Sequence, residues 1–483
     1  MRISGLSSGL DIDAIVKQLM TAQRAPLDKL NQQKQQTEWK RDDYREISTK
    51  LVSFNEKLSS LSLSSAIDAK KATVSGASVV TATGTGAATN SVYNIQVKNM
   101  ASATNVIYQG TVGATKISDI YSGSQTSLTI GSATIDFSSS DSIDSLVTKI
   151  NNNKDAGVTA VFDSTTGKLS LTSKKTGNDP IVLGGDFFTA TNTKLSTSGQ
   201  TLGEDATVII NGIETKQASN RFTVNGVEFT ITGVTPTGQS SQVEVTQDTD
   251  KMVDTIKKFV EAYNESLALL NKKTGEERYR TFLPLTSEQK EAMTDDEIKL
   301  WEEKAQSGLL RNDSILSKAA SDMRTALFAD FTLPNGTKMN LTQLGITSGS
   351  YSEKGKLYID ETKLREAIES NPEGVHAFFG QTDSSATVSN NARNGIFNRV
   401  KKINTEALQS LYDRAGTSKY SSDLTTAFLP ESEIGKQLRD FDTRISDMNS
   451  RLALIENRYY KQFTAMETAM NKYNSVSSSL FSS

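Results

Sequence analysis

The 483-residue chain has no cysteine and one histidine, His376. That removes disulfide stapling, thiol catalysis, and thiolate or multi-histidine metal centres. A thiol-free chain also suits passage out of a cell in the unfolded state, where exposed thiols would cross-link. No run approaches the roughly 18 consecutive apolar residues of a membrane span, so no membrane insertion is expected. Residues 3–23 lack the basic start, the uninterrupted apolar stretch and the small-residue cleavage site of a secretory signal. Formal charge is only -3, with both signs well mixed. The overall balance therefore points away from nucleic acid and anionic membrane surfaces.

Proline is scarce and absent after Pro430, while glycine is missing from residues 10–75 and 436–483 and gathered between 71 and 240. The two ends are thus built differently from the middle. Near the start, Ile12, Ile15, Val16, Leu19 and Met20 recur at helical spacing opposite Asp11, Asp13, Lys17 and Gln18, a face made to pack. Pro26 suits the first turn of a further helix reaching Leu61. Along it Leu30, Thr37, Tyr44, Leu51 and Leu58 fall seven apart, with Ile47, Phe54 and Leu61 as a second row. Gln33, Lys34 and Lys40 dilute the first half of this seam.

The other end carries a stronger repeat. Leu438, Ile445, Leu452, Tyr459, Met466, Tyr473 and Leu480 hold one heptad position, and three residues after each of the first six stand Phe441, Met448, Ile455, Gln462, Ala469 and Val476. Of these only Gln462 is polar. A seam this long seeks partner helices. The assembly face is therefore expected to comprise Ile12, Ile15, Leu19, Leu27 and Leu30 with Leu438, Phe441, Ile445, Met448, Leu452, Ile455, Tyr459, Met466, Tyr473 and Leu480, directed at neighbouring subunits. A hairpin between the chain's own ends is the alternative. An isolated two-helix leg buries little surface against the entropy of ordering it, so the ends are expected to order on assembly.

The middle reads as β: "SVYNIQVKNM", "SLTIGSATIDF", "GKLSLTSKK", "ATVIINGIET" and "RFTVNGVEFTITGV" set β-branched residues between turn signals, with a hairpin turn expected at Asn225-Gly226. One helix is expected in "SIDSLVTKINNN", capped by Ser142 and facing inward through Ile143, Leu146, Val147 and Ile150. Residues 251–272 return to helix. The chain goes out through β structure and comes back to helices.

No catalytic constellation emerges. Asp11 with Asp13, Asp42 with Asp43, and Asp295 to Glu297 are acidic groups of the kind that complement helix starts, and none sits in a calcium-loop pattern. His376 lies among Val375, Phe378 and Phe379 and reads as a packed or partly exposed side chain. "TGTGAATN" lacks the third glycine and following helix of a phosphate cradle. Trp301 reads as a packing anchor. No cofactor, metal or enzymatic activity is expected.

The opening "ISGLSSGLDIDAIVKQLM" followed by "APLDKLNQQK" resembles that of bacterial flagellar hook-associated protein 2, the filament cap family. "FLPLTSEQKEAMTDDEIKLWEEKAQSGLLRND" and "LGITSGSYSEKGKLYIDETKLREAIESNPEGVHAFF" are similar to that family's carboxy-terminal half. "SLVTKINNNKDAGVTAVFDSTTGKLSLTSKKTG" is similar to a small module shared by flagellins and hook-associated proteins. The resemblance implies an α+β multidomain fold, with a coiled-coil terminal leg (residues 1–42 plus 416–483) and a helical second domain (43–71 plus 250–415). Between them it implies a β-rich domain (72–118 plus 202–249) and a β-rich outer head (119–201).

The resemblance further implies export through the flagellar secretion channel without a cleaved signal, and a ring of copies at the distal filament tip, typically a pentamer. That ring would guide incoming flagellin. Implied partners are the chain itself, flagellin, hook-filament junction proteins and a flagellar export chaperone. The rival readings are a junction protein, a flagellin-like axial protein, or a secreted adhesin whose head takes a host-surface ligand.

Overall fold

The computed structural model describes residues 11–188, 193–333, 335–383 and 392–481, with side chains, Ser64's apart, as far as residue 477. Two compact units are present: Met1–Leu63 with Val253–Ser483, and Ser64–Met252.

The helical unit is organised on one long helix, Ile12–Leu61, whose start is capped by Asp11 accepting the Ala14 N–H at 2.9 Å. The sequence reading began a new helix at Pro26. Instead the helix runs through it. Residues 21–26 are exposed, so the carbonyl that loses its N–H partner to proline can turn to water. From Tyr44 onward the expected stripe is the core: Tyr44, Ile47, Leu51, Phe54 and Leu58 are each at most 2% exposed. Against it lie Ile396–Ala415, which buries Phe397, Val400, Ile403, Leu408 and Leu411, and Thr249–Gly275, which buries Ile256, Phe259, Tyr263, Leu267 and Leu270. An aromatic chain joins Phe259 to Phe397 (5.1 Å), Phe397 to Phe379 (5.5 Å), Phe379 to Phe378 (5.1 Å) and Phe378 to Phe331 (5.7 Å).

Arg399 is wholly buried in this core, and no carboxylate pairs with it among the described residues. Its guanidinium donates to the carbonyls of Asn394 (2.6 Å), Ala326 (3.2 Å), Ala329 (3.1 Å) and Asp330 (3.2 Å). Three of these belong to the end of the helix Ser314–Phe328 and the residues just after it, where orphan carbonyls and the helix dipole both favour a cation. Burial pushes the guanidinium below its ordinary pKa.

The β unit has two cores. One lies between a five-stranded antiparallel sheet (strands in the order 70–76, 241–247, 91–99, 206–210, 213–217) and a three-stranded sheet (221–224, 227–231, 80–84). It is filled by Tyr93, Ile95, Val97, Val208, Phe222, Phe229, Val243 and Val245. The other is covered by the four-stranded sheet 196–201, 103–109, 168–176, 158–163 and the helix Ile143–Asn152. Its interior includes Val106, Tyr108, Leu146, Ile150, Leu169, Leu171 and Phe187. Ser142 caps the helix by accepting the Ser145 N–H at 3.1 Å, and Ile143, Leu146 and Ile150 face inward, as the sequence predicts.

The Asn225-Gly226 turn closes its hairpin with φ of 48° and 77°, the left-handed pair of a type I′ turn. Asn211-Gly212 does the same between strands 206–210 and 213–217, a second copy of the signal within "ATVIINGIET".

Arg399→Met fills much of the same space but strips four carbonyls of their donor, two in buried and two in part-buried hydrogen bonds. We expect it to destabilise the helical unit by about 3 kcal/mol or more. Thermal unfolding followed by hydrogen exchange of each unit checks this: residues 314–330 and 394–411 should lose protection, and the sheets of residues 70–247 should not.

Candidate assembly surface

The first thirty residues of the long helix lie against the carboxy-terminal helix Glu433–Phe481, both within the helical unit. Ile12, Val16 and Met20 recur every four residues and are buried with Leu452, while Leu27, Met448, Ile455, Tyr459, Tyr460 and Phe463 pack around them. Nearer the body, Lys34 Nζ reaches the Asp442 carboxylate at 2.6 Å across the two helices. That hydrogen bond, more than any other influence, raises the Lys34 pKa. Both groups are partly exposed, so the pair adds at most about 1 kcal/mol. Burial lowers the Lys40 pKa, with the Arg414 guanidinium adding to the effect.

The seam was expected to face neighbouring subunits. Within the single chain, part of it is already occupied: Ile12, Leu30, Leu438, Phe441 and Leu452 are buried, and Ile15, Leu27, Ile445, Met448, Ile455 and Tyr459 are half-buried. Leu19 is exposed. Of the amino-terminal packing face Ile12, Val16 and Met20 turn fully inward while Ile15 is half-buried and Leu19 exposed, and on the carboxy-terminal heptad row Phe463 replaces Gln462 in the cluster. A straight helix advances about 20° per heptad relative to a 3.5-residue repeat, which moves the contact row by about a residue over several heptads.

Beyond Phe463 the row continues with side chains exposed: Met466, Met470 and Tyr473, the last by 77%. Leu480's side chain and residues 1–10 lie outside the described residues.

A second element bears on the long helix. Gln32 Nε2 donates to the Pro284 carbonyl at 2.8 Å, and Leu285 is buried. Trp301, on the helix Asp295–Gln306, holds this segment by donating its indole N–H to the Leu283 carbonyl at 2.8 Å, its ring 4.6 Å from that of Phe282. Thr294 and Glu297 form a capping box, so the acidic run there serves the helix start. Asp28's carboxyl is pushed up mainly by burial, then by the charge of Glu288, against the Arg24 guanidinium.

His376 is half-buried on the helix Pro372–Gly380. Among the described residues no group of three or more histidine, aspartate or glutamate side chains is placed to hold a metal ion, and no helix is long and apolar enough to cross a membrane. What this surface offers is an apolar ridge on a preformed helix, and its chemistry is that of packing.

Residues 203–475 match the flagellar hook-associated protein 2 C-terminus, residues 8–104 match the flagellar hook-associated protein 2 N-terminus, and residues 120–175 match the flagellin hook IN motif. The chain belongs to the flagellar hook-associated protein 2 family. It is 33% identical to the flagellar hook-associated protein 2 of Halalkalibacterium halodurans over 99% of each chain, and 26% identical to that of Escherichia coli K12 over 99% of this chain and 96% of the relative. The structure of the flagellar cap protein D1-D2-D3 domains from Escherichia coli superposes with a TM-score of 0.55 at 23% identity, covering 83% of this chain and 99% of that one, a likeness of fold. The matched family is that of filament cap proteins, which places the chain at the flagellum and favours the cap over the junction, flagellin and adhesin readings. The α+β multidomain architecture expected from the sequence is the one observed.

Leu452 sits at the centre of the hairpin cluster, and Leu452→Ala should cost it about 2–3 kcal/mol. Hydrogen exchange should report faster opening of residues 12–24 and 448–463, while the residues around Leu51 and Phe397 keep their protection.

Proposed function

We propose that the chain caps the growing flagellar filament as a ring of its own copies, typically a pentamer, and that the ring guides incoming flagellin into place without catalysing any reaction. The observation that carries this, beside family membership, is the apolar row that continues past Phe463: Met466, Met470 and Tyr473 are exposed on a helix whose nearer half is packed. An exposed row of this kind on an ordered helix is a surface for another chain. On this reading residues 1–42 with 416–483 form the leg and 43–71 with 250–415 the second helical domain. Residues 72–118 with 202–249 and 119–201 form the inner and outer head. Export through the flagellar channel, a chaperone met before export, and hook-filament junction proteins beneath the first cap complete the cycle.

Because Met466 and Tyr473 are exposed, replacing both with aspartate should leave the melting transition within about 0.5 kcal/mol of the original while weakening the assembled state. Light scattering of the purified chain, and electron microscopy of flagella labelled with a binder to residues 119–201, measure the two halves of the claim. Label confined to the distal tip, and lost from it in the double variant, is the expected result. Label along the shaft or at the hook end of unsubstituted flagella would overturn the cap reading.

A further inference from the structure

The residues that join one copy to the next can be sought within the helical unit itself. A ring repeats a heterologous contact, in which a feature on one side of the subunit meets a different feature on the other side of its neighbour. The helix Thr249–Gly275 carries one such feature on each of two opposite sides.

On one side rides a small hairpin, strands Ile346–Ser348 and Leu357–Ile359. Asn264 clamps it by exchanging two hydrogen bonds with Leu357 (2.9 and 2.8 Å), and Asn271 donates to the Lys354 carbonyl at 3.4 Å. The tip is internally tied. The Glu353 carboxylate accepts from the Ser350 N–H at 2.7 Å, the Ser350 hydroxyl at 2.9 Å and the Tyr358 hydroxyl. This rigid tip projects Tyr351 with its whole side chain exposed. An aromatic side chain on a pre-ordered loop has little left to lose on docking, which is the character of an interface anchor.

On the other side is a groove of about 370 Å³ between this helix and the long one, lined by Lys50, Ser53, Phe54, Lys57, Ala262, Glu265, Ser266 and Leu269. Its floor is made of the buried Phe54, Ala262 and Ser266, and the Ser266 hydroxyl is satisfied by the Ala262 carbonyl at 2.9 Å. At about 100° per residue, Ala262, Glu265, Ser266 and Leu269 share one side of the helix, and Asn264 and Asn271, which hold the hairpin, point the opposite way. The charges also correspond. Lys50 and Lys57 stand on the groove's rim, where Glu265 pairs with Lys57 at 3.2 Å and Lys50 has no ion pair among the described residues. The hairpin tip brings the Glu353 carboxylate beside Tyr351, while Lys356 lies back over the Tyr358 ring at 5.0 Å.

We infer that Tyr351 is the knob of a head-to-tail contact between copies of this chain, seated in the next copy's groove between residues 50–57 and 262–269, with Glu353 meeting Lys50. The inference rests on the ring proposed above and supplies its contact. The absence of native cysteine gives a clean test in the full-length chain. Tyr351→Cys combined with Ser53→Cys should, on mild oxidation, give a ladder of covalent oligomers on a non-reducing gel, whereas either substitution alone should stop at dimers. Tyr351→Ala should lower the oligomer fraction in light scattering at least tenfold, with unchanged helix content and melting. Oligomers that survive Tyr351→Ala and give no ladder would overturn this contact and leave the ring standing. No oligomer from the unsubstituted chain at any concentration would remove the ring and the contact together.

Discussion

The burial of one face of the long amino-terminal helix is the interaction on which the helical unit depends. Tyr44, Ile47, Leu51, Phe54 and Leu58 are each removed from water almost completely, and at about 1.5–3 kcal/mol for each large apolar side chain this stripe outweighs any polar contact in the unit. The polar side-chain groups that enter it are matched in part, the Asn404 Oδ1 standing buried with no hydrogen-bond partner among the described residues. Asn404 donates to the Leu51 carbonyl at 2.6 Å, and the Ser48 and Thr417 hydroxyls meet at 2.7 Å. Because the same helix continues unbroken back to Ile12, what is gained around Leu51 also anchors the start of the terminal hairpin.

Two kinds of adhesion therefore share one helix. Around Leu51 the neighbours are several and the side chains vanish into a core. Around Val16 there is a single neighbouring helix, and only a narrow row of side chains is covered. The difference sets a gradient of stability along the chain, with the hairpin at the low end. Methionines at 448, 466 and 470 add to that softness, since an unbranched thioether repacks at little cost.

Much of this was legible in the residues. The apolar stripes at residues 44–61, 143–150 and 253–267 specified both the helices and the faces they bury. The Asn-Gly pair at 225–226 specified a turn. Three features were not legible, for three physical reasons. Pro26 marks a helix start by its missing N–H, yet an exposed stretch can hydrate the carbonyl it orphans, so position in the fold decided against the local signal. Helical spacing named Ile12, Ile15, Val16, Leu19 and Met20 as one face without telling which of them turn fully inward, and the heptad rows put Gln462 where the fold brings in Phe463. Arg399 and Tyr351 carry no pattern at all. One is a cation in a mixed polar and apolar stretch and the other a tyrosine in a short polar turn; the carbonyls of the helix end that Arg399 holds and the hydrogen bonds that hold the Tyr351 hairpin span 69 to 93 positions that only the fold brings near.

The terminal helices also raise a question of order. An isolated leg was expected to form helix only with partners, because the first turn of a helix fixes several dihedrals for one hydrogen bond. That reasoning treats the leg as separate from the body. Here both helices grow out of packed segments, the amino-terminal one from the core at Tyr44 and the carboxy-terminal one from Ile434 and Leu438, which are buried. The costly nucleus is already formed there, and each further residue adds a hydrogen bond at the cheaper cost of propagation. The exposed row from Met466 to Tyr473 is then already helical, so covering it would gain the apolar burial without the cost of ordering the whole helix first.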